Sequence, residues 1–281
     1  MSAVTRFAPS PTGPLHLGHA FSALTAFARA KAAGGRMLLR IEDLDRSRAR
    51  PVWEALIAED LAWLGLTWPR PVMRQSERGP AHEAALARLW RAGLLYPCTC
   101  ARRDIEAAAG APQEGAPLHG PDGVIYPGTC RADATGPIPA DGALRLHMRK
   151  AALITDSIQF SETGCAPLGT VTVVPETLVA RIGDVVLRRR DGAAAYHLAV
   201  VVDDAAQGIT EVVRGQDLFE ATAIHVVLQR LLGLPTPAYH HHRLIRDDHG
   251  ARLAKRDDAR ALSTLRAEGW TPRDVRRAVG L

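Results

Sequence analysis

Apolar residues recur at helical spacing from Leu17 to Ala33, directly after a short extended run from Val4 to Ala8. Between the two, Pro9, Pro11, Gly13 and Pro14 forbid continuous helix and force a tight strand-to-helix corner. Met37-Leu38-Leu39-Arg40-Ile41-Glu42, a mostly apolar run after Gly34-Gly35, reads as a buried strand of a parallel sheet. Helices are predicted from Pro51 to about Leu64 and from Pro80 to Ala92, each opened by a proline at a position where the missing N–H costs nothing. This alternation of strand and helix predicts an α/β nucleotide-binding half with a parallel sheet.

From Tyr96 to about Ala143 the periodicity lapses into a Gly-, Pro- and Ala-rich stretch. Beyond it, Leu144 to Met148, Leu168 to Val174 and Ile209 to Val213 are expected strands. Asp191-Gly192 after Val185 to Arg190 gives a hairpin turn, and Arg188 to Arg190 is expected to be its solvated face. Tyr196 to Asp204 reads as the most apolar strand of the chain, ending in two carboxylates. A helix is expected after Arg214-Gly215-Gln216-Asp217-Leu218, reaching about Leu232, and His240 to His242 is expected in a strand rather than a metal site. Ala259 to Glu268 and Pro272 to Val279 are expected as two short closing helices. The chain is accordingly divided into 1–95 (first half of the nucleotide-binding unit), 96–180 (an insertion) and 181–281 (second half with closing helices).

Composition changes this picture in two ways. The net charge of +5 permits a nucleic-acid partner, and of the 35 basic residues only Lys31, Lys150 and Lys255 are lysines. No apolar run is long enough to span a membrane and no signal peptide precedes the first strand, so a cytoplasmic enzyme is expected. Four cysteines, two of them in Cys98-Thr99-Cys100, suit a metal site better than a disulfide framework. Cys98, Cys100 and Cys130 supply three thiolates for tetrahedral zinc, which would order the long irregular stretch. Spacing alone nominates His119 as the fourth ligand; Cys165 is expected in the core.

The candidate chemistry gathers at strand ends. His16 and His19 share one face of a helix's first turn, where unpaired backbone N–H groups and the positive end of the helix dipole also lie. That arrangement suits phosphate, and Gly18 between them leaves the backbone open to a flat ring. Glu42 closes the Met37 strand at the edge where open α/β sheets bind ligands, and can meet an ammonium group.

Arg6-Phe7-Ala8-Pro9-Ser10-Pro11-Thr12-Gly13, with His16-Leu17-Gly18-His19, resembles the nucleotide-binding motif of class I aminoacyl-tRNA synthetases, and in particular their glutamyl branch. Tyr196-His197-Leu198-Ala199-Val200-Val201-Val202-Asp203-Asp204, followed by Arg214-Gly215-Gln216-Asp217-Leu218, resembles the same branch independently. Arg252-Leu253-Ala254-Lys255-Arg256 resembles the mobile lysine loop that closes on ATP phosphates, with Arg252 and Ala254 in place of the usual lysine and serine. The resemblance implies a Rossmann-type parallel sheet that binds ATP through His16, Gly18, His19 and Lys255. Of these, His16, His19 and Lys255 would be catalytic, and Mg²⁺ would accompany the nucleotide.

The resemblance also implies glutamate binding by Arg6, Ala8, Ser10, Glu42, Tyr196 and Arg214. The forked arginines would grip the side-chain carboxylate, because the α-carboxylate must stay free to attack. Only 25 residues follow Arg256, too few for the helical anticodon-binding domain of full-length glutamyl enzymes. Their truncated relatives are the glutamyl-queuosine tRNA(Asp) synthetases, whose Cys-x-Cys…Tyr-x-x-x-Cys pattern implies zinc on Cys98, Cys100, Tyr126 and Cys130. The implied reaction is ATP-dependent activation of L-glutamate and its transfer to the queuosine base of tRNA(Asp), by a monomer.

Overall fold

The computed structural model describes residues 2–109, 119–246 and 260–281. Strand β1 (Val4–Phe7) leads through the proline corner into helix α1 (Leu17–Ala32), which returns to β2 (Arg36–Ile41). β1 and β2 pair in parallel, Val4 opposite Arg36 through Phe7 opposite Leu39, and β3 (Met73–Arg74) adds in parallel after helix α2 (Pro51–Trp63). Helix α3 (Gly79–Arg91) then leads out of this half to β4 (Leu95–Cys98).

The irregular middle contains α4 (Arg102–Ala109), a two-stranded hairpin β5–β6 (His119–Gly120 and Gly123–Val124), β7 (Ala143–Leu146) and α5 (Met148–Thr155). Strands β8 (Ile158–Glu162) and β9 (Gly169–Val173) follow, then a helical turn α6 (Pro175–Thr177) that runs into a wide turn at Leu178–Ile182. After β10 (Val186–Arg188) come α7 (Tyr196–Ala206), β11 (Glu211–Gly215), α8 (Thr222–Leu231), β12 (Ala238–His242), α9 (Leu262–Ala267) and α10 (Pro272–Val279).

Three strands in the order β3-β2-β1 and four in the order β11-β12-β8-β9 form the main sheets, parallel except for β9. β1 and β11 lie side by side, with the Thr210 N–H donating to the Val4 carbonyl at 2.9 Å. Both strands end near this divide, the place where an open α/β sheet receives a ligand. A separate antiparallel sheet, β10-β7-β4, carries the Cys98 end of the irregular middle. Two apolar cores hold the parts: one packs α1, α2, α9 and α10 on β1 and β2, the other packs α5, α7 and α8 with β8 and β10.

Three expectations are corrected. Tyr196 to Asp204 is not a strand but the body of α7. Its side chains are buried on nearly every side, so the apolar run carries no period, and a fully buried helix and a buried strand then look alike. Helical geometry turns Asp203 and Asp204 to different partners. Asp203 takes Gln75, Arg78 and His82 at 3.1–3.2 Å, while Asp204 takes Arg6 and Arg40. Arg188 is not on a solvated face. It is buried, and its guanidinium donates to the carbonyls of Pro139, Asp141 and Gly142 at 2.8–3.0 Å, tying the loop before β7. Cys165 is half-buried beside Glu162 and His241 rather than sunk in a core.

Asp60 on α2 has no exposed surface, and neither carboxylate oxygen has a hydrogen bond; Arg266 on α9 approaches only to 3.7 Å. Burial pushes its carboxyl up to about 6. A carboxyl raised above its unfolded value leaves the folded chain binding more protons between about pH 4 and pH 6, so its penalty is complete above pH 6. Asp60→Asn should therefore stabilise the protein by up to about 2 kcal/mol at pH 8 and by little at pH 4.5, read from urea midpoints at the two pH values.

Candidate active site at the divide of the sheet

The corner after β1 delivers His16 as the N-cap of α1 in extended backbone. Its Nδ1 accepts the Gly18 N–H at 3.1 Å, and His19 Nδ1 accepts the His16 N–H at 3.2 Å, a reciprocal cap made of two imidazoles. The helix mouth is thus capped by its own side chains, and each neutral ring carries its proton on Nε2. The two rings lie 3.8 Å apart. A Cβ added at Gly18 would sit 2.9 Å from His16 Cε1, so this position holds the caps in place.

Behind the mouth, β1 and β2 contribute charge at their C-terminal halves. Arg40 is wholly buried. It donates to Asp204 at 2.5 Å, to Gln207 at 3.0 Å and to Glu42 at 3.0 Å. Arg6 donates through Nε to the same Asp204 oxygen at 3.0 Å and through Nη1 to the Val213 carbonyl at 3.2 Å, bridging β1 to β11. Burial works to raise the Asp204 carboxyl, but Arg6 and Arg40 outweigh it and hold it below the usual carboxylate range. Burial also acts on Glu42 and prevails there, raising it despite Arg40.

Arg214, at the end of β11, is 6 % exposed and has no carboxylate within ion-pair distance among the described residues. Its guanidinium donates instead to His241 Nε2 at 3.0 Å, His225 Nδ1 at 3.0 Å, Thr222 Oγ1 at 2.7 Å and the Leu218 carbonyl at 3.2 Å. Burial, then the Arg214 charge, pushes His241 down to about 4 and His225 well below the usual imidazole value, so both are neutral acceptors at neutral pH.

These groups enclose one cavity of about 380 Å³. Its lining includes Arg6, Ala8, His16, Gly18, His19, Glu42, Tyr196 and Arg214. Ser10 is exposed and does not line it. Lys255, with Arg252 and Ala254, lies outside the described residues; Ala261, six positions after Lys255, bridges His16, and the Leu262 N–H donates to the Leu15 carbonyl at 2.8 Å. Sequence reasoning missed Asp204, the shared anchor of two arginines, because the expected strand gave it no direction. It also missed His225, His241 and Glu162, which lie far apart in the chain and carry no motif. Ser22 and His242, hydrogen-bonded at 2.6 Å, complete the wall beyond His19.

In the irregular middle of the chain, the Sγ atoms of Cys98, Cys100 and Cys130 lie within 4.8 Å of one another. The Tyr126 hydroxyl sits among them, 3.5 Å from Cys98 Sγ and 3.3 Å from Cys100 Sγ, and accepts the Cys130 N–H at 2.7 Å. His119 lies on β5 and is not part of this group. Zinc–thiolate bonds of about 2.3 Å require thiolates separated by just under 4 Å, and the 3.3 Å between Cys100 and Cys130 is near that spacing. Arg145, 3.3 Å from Cys98 Sγ and stacked 3.9 Å over the Tyr126 ring, supplies positive charge beside the sulfurs. Three soft donors and a phenol thus have the chemistry to hold a zinc ion.

The family described as tRNA synthetases class I (E and Q), catalytic domain, matches residues 2–122 and 159–281. A glutamyl-Q tRNA(Asp) synthetase from Rhodobacter capsulatus is 64% identical over 282 residues, covering 99% of this chain and 100% of the relative. A second, from Nocardia farcinica, is 46% identical over 96% of this chain and 81% of its own. Among solved structures, a glutamate tRNA ligase from Elizabethkingia meningosepticum in complex with its amino acid superposes with a TM-score of 0.75 at 28% identity, covering 97% of this chain. The chain spans 59% of that ligase's length. The chain therefore belongs to the class I tRNA synthetases of the E and Q branch and, within them, to the glutamyl-Q tRNA(Asp) synthetase family.

Proposed function

We propose that this chain activates L-glutamate with ATP, forming glutamyl-adenylate and pyrophosphate, and transfers the glutamyl group to the queuosine base in the anticodon of tRNA(Asp). The observation that carries the reading is Arg214, a buried guanidinium on the wall of the cavity with only neutral acceptors around it. An acidic side chain entering there would meet a cation that no protein carboxylate has neutralised. The names of the relatives at 64% and 46% identity supply the acceptor, and the net charge of +5 suits a tRNA partner.

In this reading Arg6, Arg214 and Tyr196 hold the glutamate side chain, and Glu42 takes the ammonium. Ala8 and Ser10 belong to the same binding stretch. The free α-carboxylate then attacks the α-phosphorus in line, and pyrophosphate leaves. Charge builds on the phosphoryl oxygens, so catalysis is positioning and electrostatic stabilisation. The Nε2 protons of His16 and His19 stabilise that charge, helped by the positive end of α1, while Gly18 leaves room for the nucleotide. Lys255 would act on the pyrophosphate side; the Ala261–His16 bridge ties the chain six residues later to the helix mouth. Mg²⁺ would enter with ATP, mostly water-coordinated.

Cys98, Cys100, Cys130 and Tyr126 would hold a structural zinc that orders the 96–180 insertion between the two halves, 1–95 and 181–281. No catalytic step passes through it. The reading takes the protein as a monomer acting in the cytoplasm; no helix among the described residues is long and apolar enough to cross a membrane.

Glutamate-dependent ATP–pyrophosphate exchange without tRNA is the expected activity; absence of exchange with any amino acid overturns the reading. His19→Ala should lower kcat roughly 10²–10³-fold with the fold intact by circular dichroism. Transfer of labelled glutamate should require queuosine in tRNA(Asp) and survive periodate treatment of the 3′ end; periodate-sensitive transfer would identify an enzyme that charges the terminus instead. Metal analysis should find about one zinc per chain, lost in Cys130→Ser and retained in His119→Ala.

A further inference from the structure

Arg214 is held by an unusual device: two of the groups that orient it are imidazoles, one fixed directly by a carboxylate and the other through a second imidazole. On one side, His241 faces Arg214 through Nε2 at 3.0 Å and Glu162 through Nδ1 at 2.5 Å. On the other, His225 faces Arg214 through Nδ1 at 3.0 Å and His197 through Nε2 at 3.0 Å; His197 Nε2 in turn faces Asp122 at 3.1 Å.

The protonation pattern follows without freedom. A guanidinium only donates, so His225 Nδ1 must accept and its proton sits on Nε2. That proton goes to His197 Nδ1, which places the His197 proton on Nε2, where the Asp122 carboxylate accepts it. On the other flank a carboxylate accepts the Nδ1 proton of His241, leaving Nε2 to accept from Arg214.

We infer that Asp122, through His197 and His225, is a positioning residue for Arg214, linking the inserted hairpin to the pocket that selects the acidic side chain. The inference rests on the glutamate reading given above. Its physical logic is that neutral acceptors orient a cation without cancelling its charge. A carboxylate in place of His225 would fix Arg214 equally well and would compete with the substrate's own carboxylate. By reaching Arg214 through two rings, Asp122 holds their geometry from a distance and leaves the cation to the ligand. The hairpin is itself fixed in place: a Cβ at Gly120 would lie 2.3 Å from the Arg181 carbonyl, so the β5–β6 turn packs directly on the Leu178–Ile182 turn. Asp122, 42 % exposed in its side chain, does not line the active-site cavity and is not part of either apolar core, so it can be changed without opening a hole there.

Asp122→Ala removes the terminal acceptor, whereas Asp122→Asn keeps a side-chain oxygen that can accept the His197 proton. Asp122→Ala should raise the KM for glutamate roughly 5- to 10-fold in pyrophosphate exchange, with kcat and the KM for ATP within about 2-fold. Asp122→Asn should restore the glutamate KM to within about 2-fold of the parent. Imidazole ¹H and ¹⁵N shifts should report His197 and His225 as Nε2–H tautomers throughout, with the His197 Nε2–H signal of a hydrogen-bonded proton in the parent and in Asp122→Asn, and that hydrogen-bond signal lost in Asp122→Ala. An unchanged glutamate KM or an unchanged His197 Nε2–H signal in Asp122→Ala overturns the inference, as does a parallel loss of kcat, ATP affinity and thermal stability. Should the parent chain show no glutamate-dependent exchange, the glutamate reading falls and the His197 Nε2–H signal alone decides whether the relay exists.

Discussion

Arg40 has no exposed surface, and a guanidinium withdrawn from water must find its compensation inside the protein. It finds Asp204, and that single carboxylate also receives Arg6 from the neighbouring strand. Three elements that share no contact in sequence (β1, β2 and α7) are therefore locked at one point. Removing one partner from a buried pair of this kind typically costs about 3–5 kcal/mol, because the other charge is stranded. The lock also fixes the Arg6 stem beside the Val213 carbonyl, and so fixes the divide between β1 and β11 on which the cavity depends.

The two arginines at this divide are treated in opposite ways. Arg6 is neutralised by Asp204 and serves as much to fasten strands as to line the cavity. Arg214 is oriented by His225, His241, Thr222 and one carbonyl, none of them charged at neutral pH. A pocket built for an acidic ligand needs one cation of each kind: one that holds the wall and one that keeps its charge. The imidazole caps at the mouth of α1 follow a similar economy, since the Nδ1 atoms that satisfy the backbone leave the ring protons on Nε2.

Much of this was legible in the chain itself. Prolines and glycines between Val4 and Leu17 can only make a corner, so the placing of His16 and His19 on the first turn of a helix followed directly. The apolar period of 17–33 and the mostly apolar run of 37–42 pointed to a helix and a buried parallel strand, and the spacing of Cys98, Cys100 and Cys130 pointed to a cluster of thiols. Motif resemblance added the acidic amino acid and picked out Tyr126, whose hydroxyl does lie among the thiols while His119 does not.

What only the tertiary structure decided was everything that depends on direction within a buried environment. The Tyr196 run lost its period because it is covered on all sides, so the sequence could not separate helix from strand, and with that the roles of Asp203 and Asp204 stayed hidden. Arg188 lay in a charge run that reads as surface, yet three carbonyls awaited it. His197 and His225 stand alone in the chain and His241 sits in a run of three, and a histidine has no preferred partner until the fold brings an acceptor or a donor to each nitrogen. Local sequence sets backbone conformation through sterics and apolar period; the pairing of buried polar groups is set by which distant segments share the same water-free space, and no short stretch of residues encodes that.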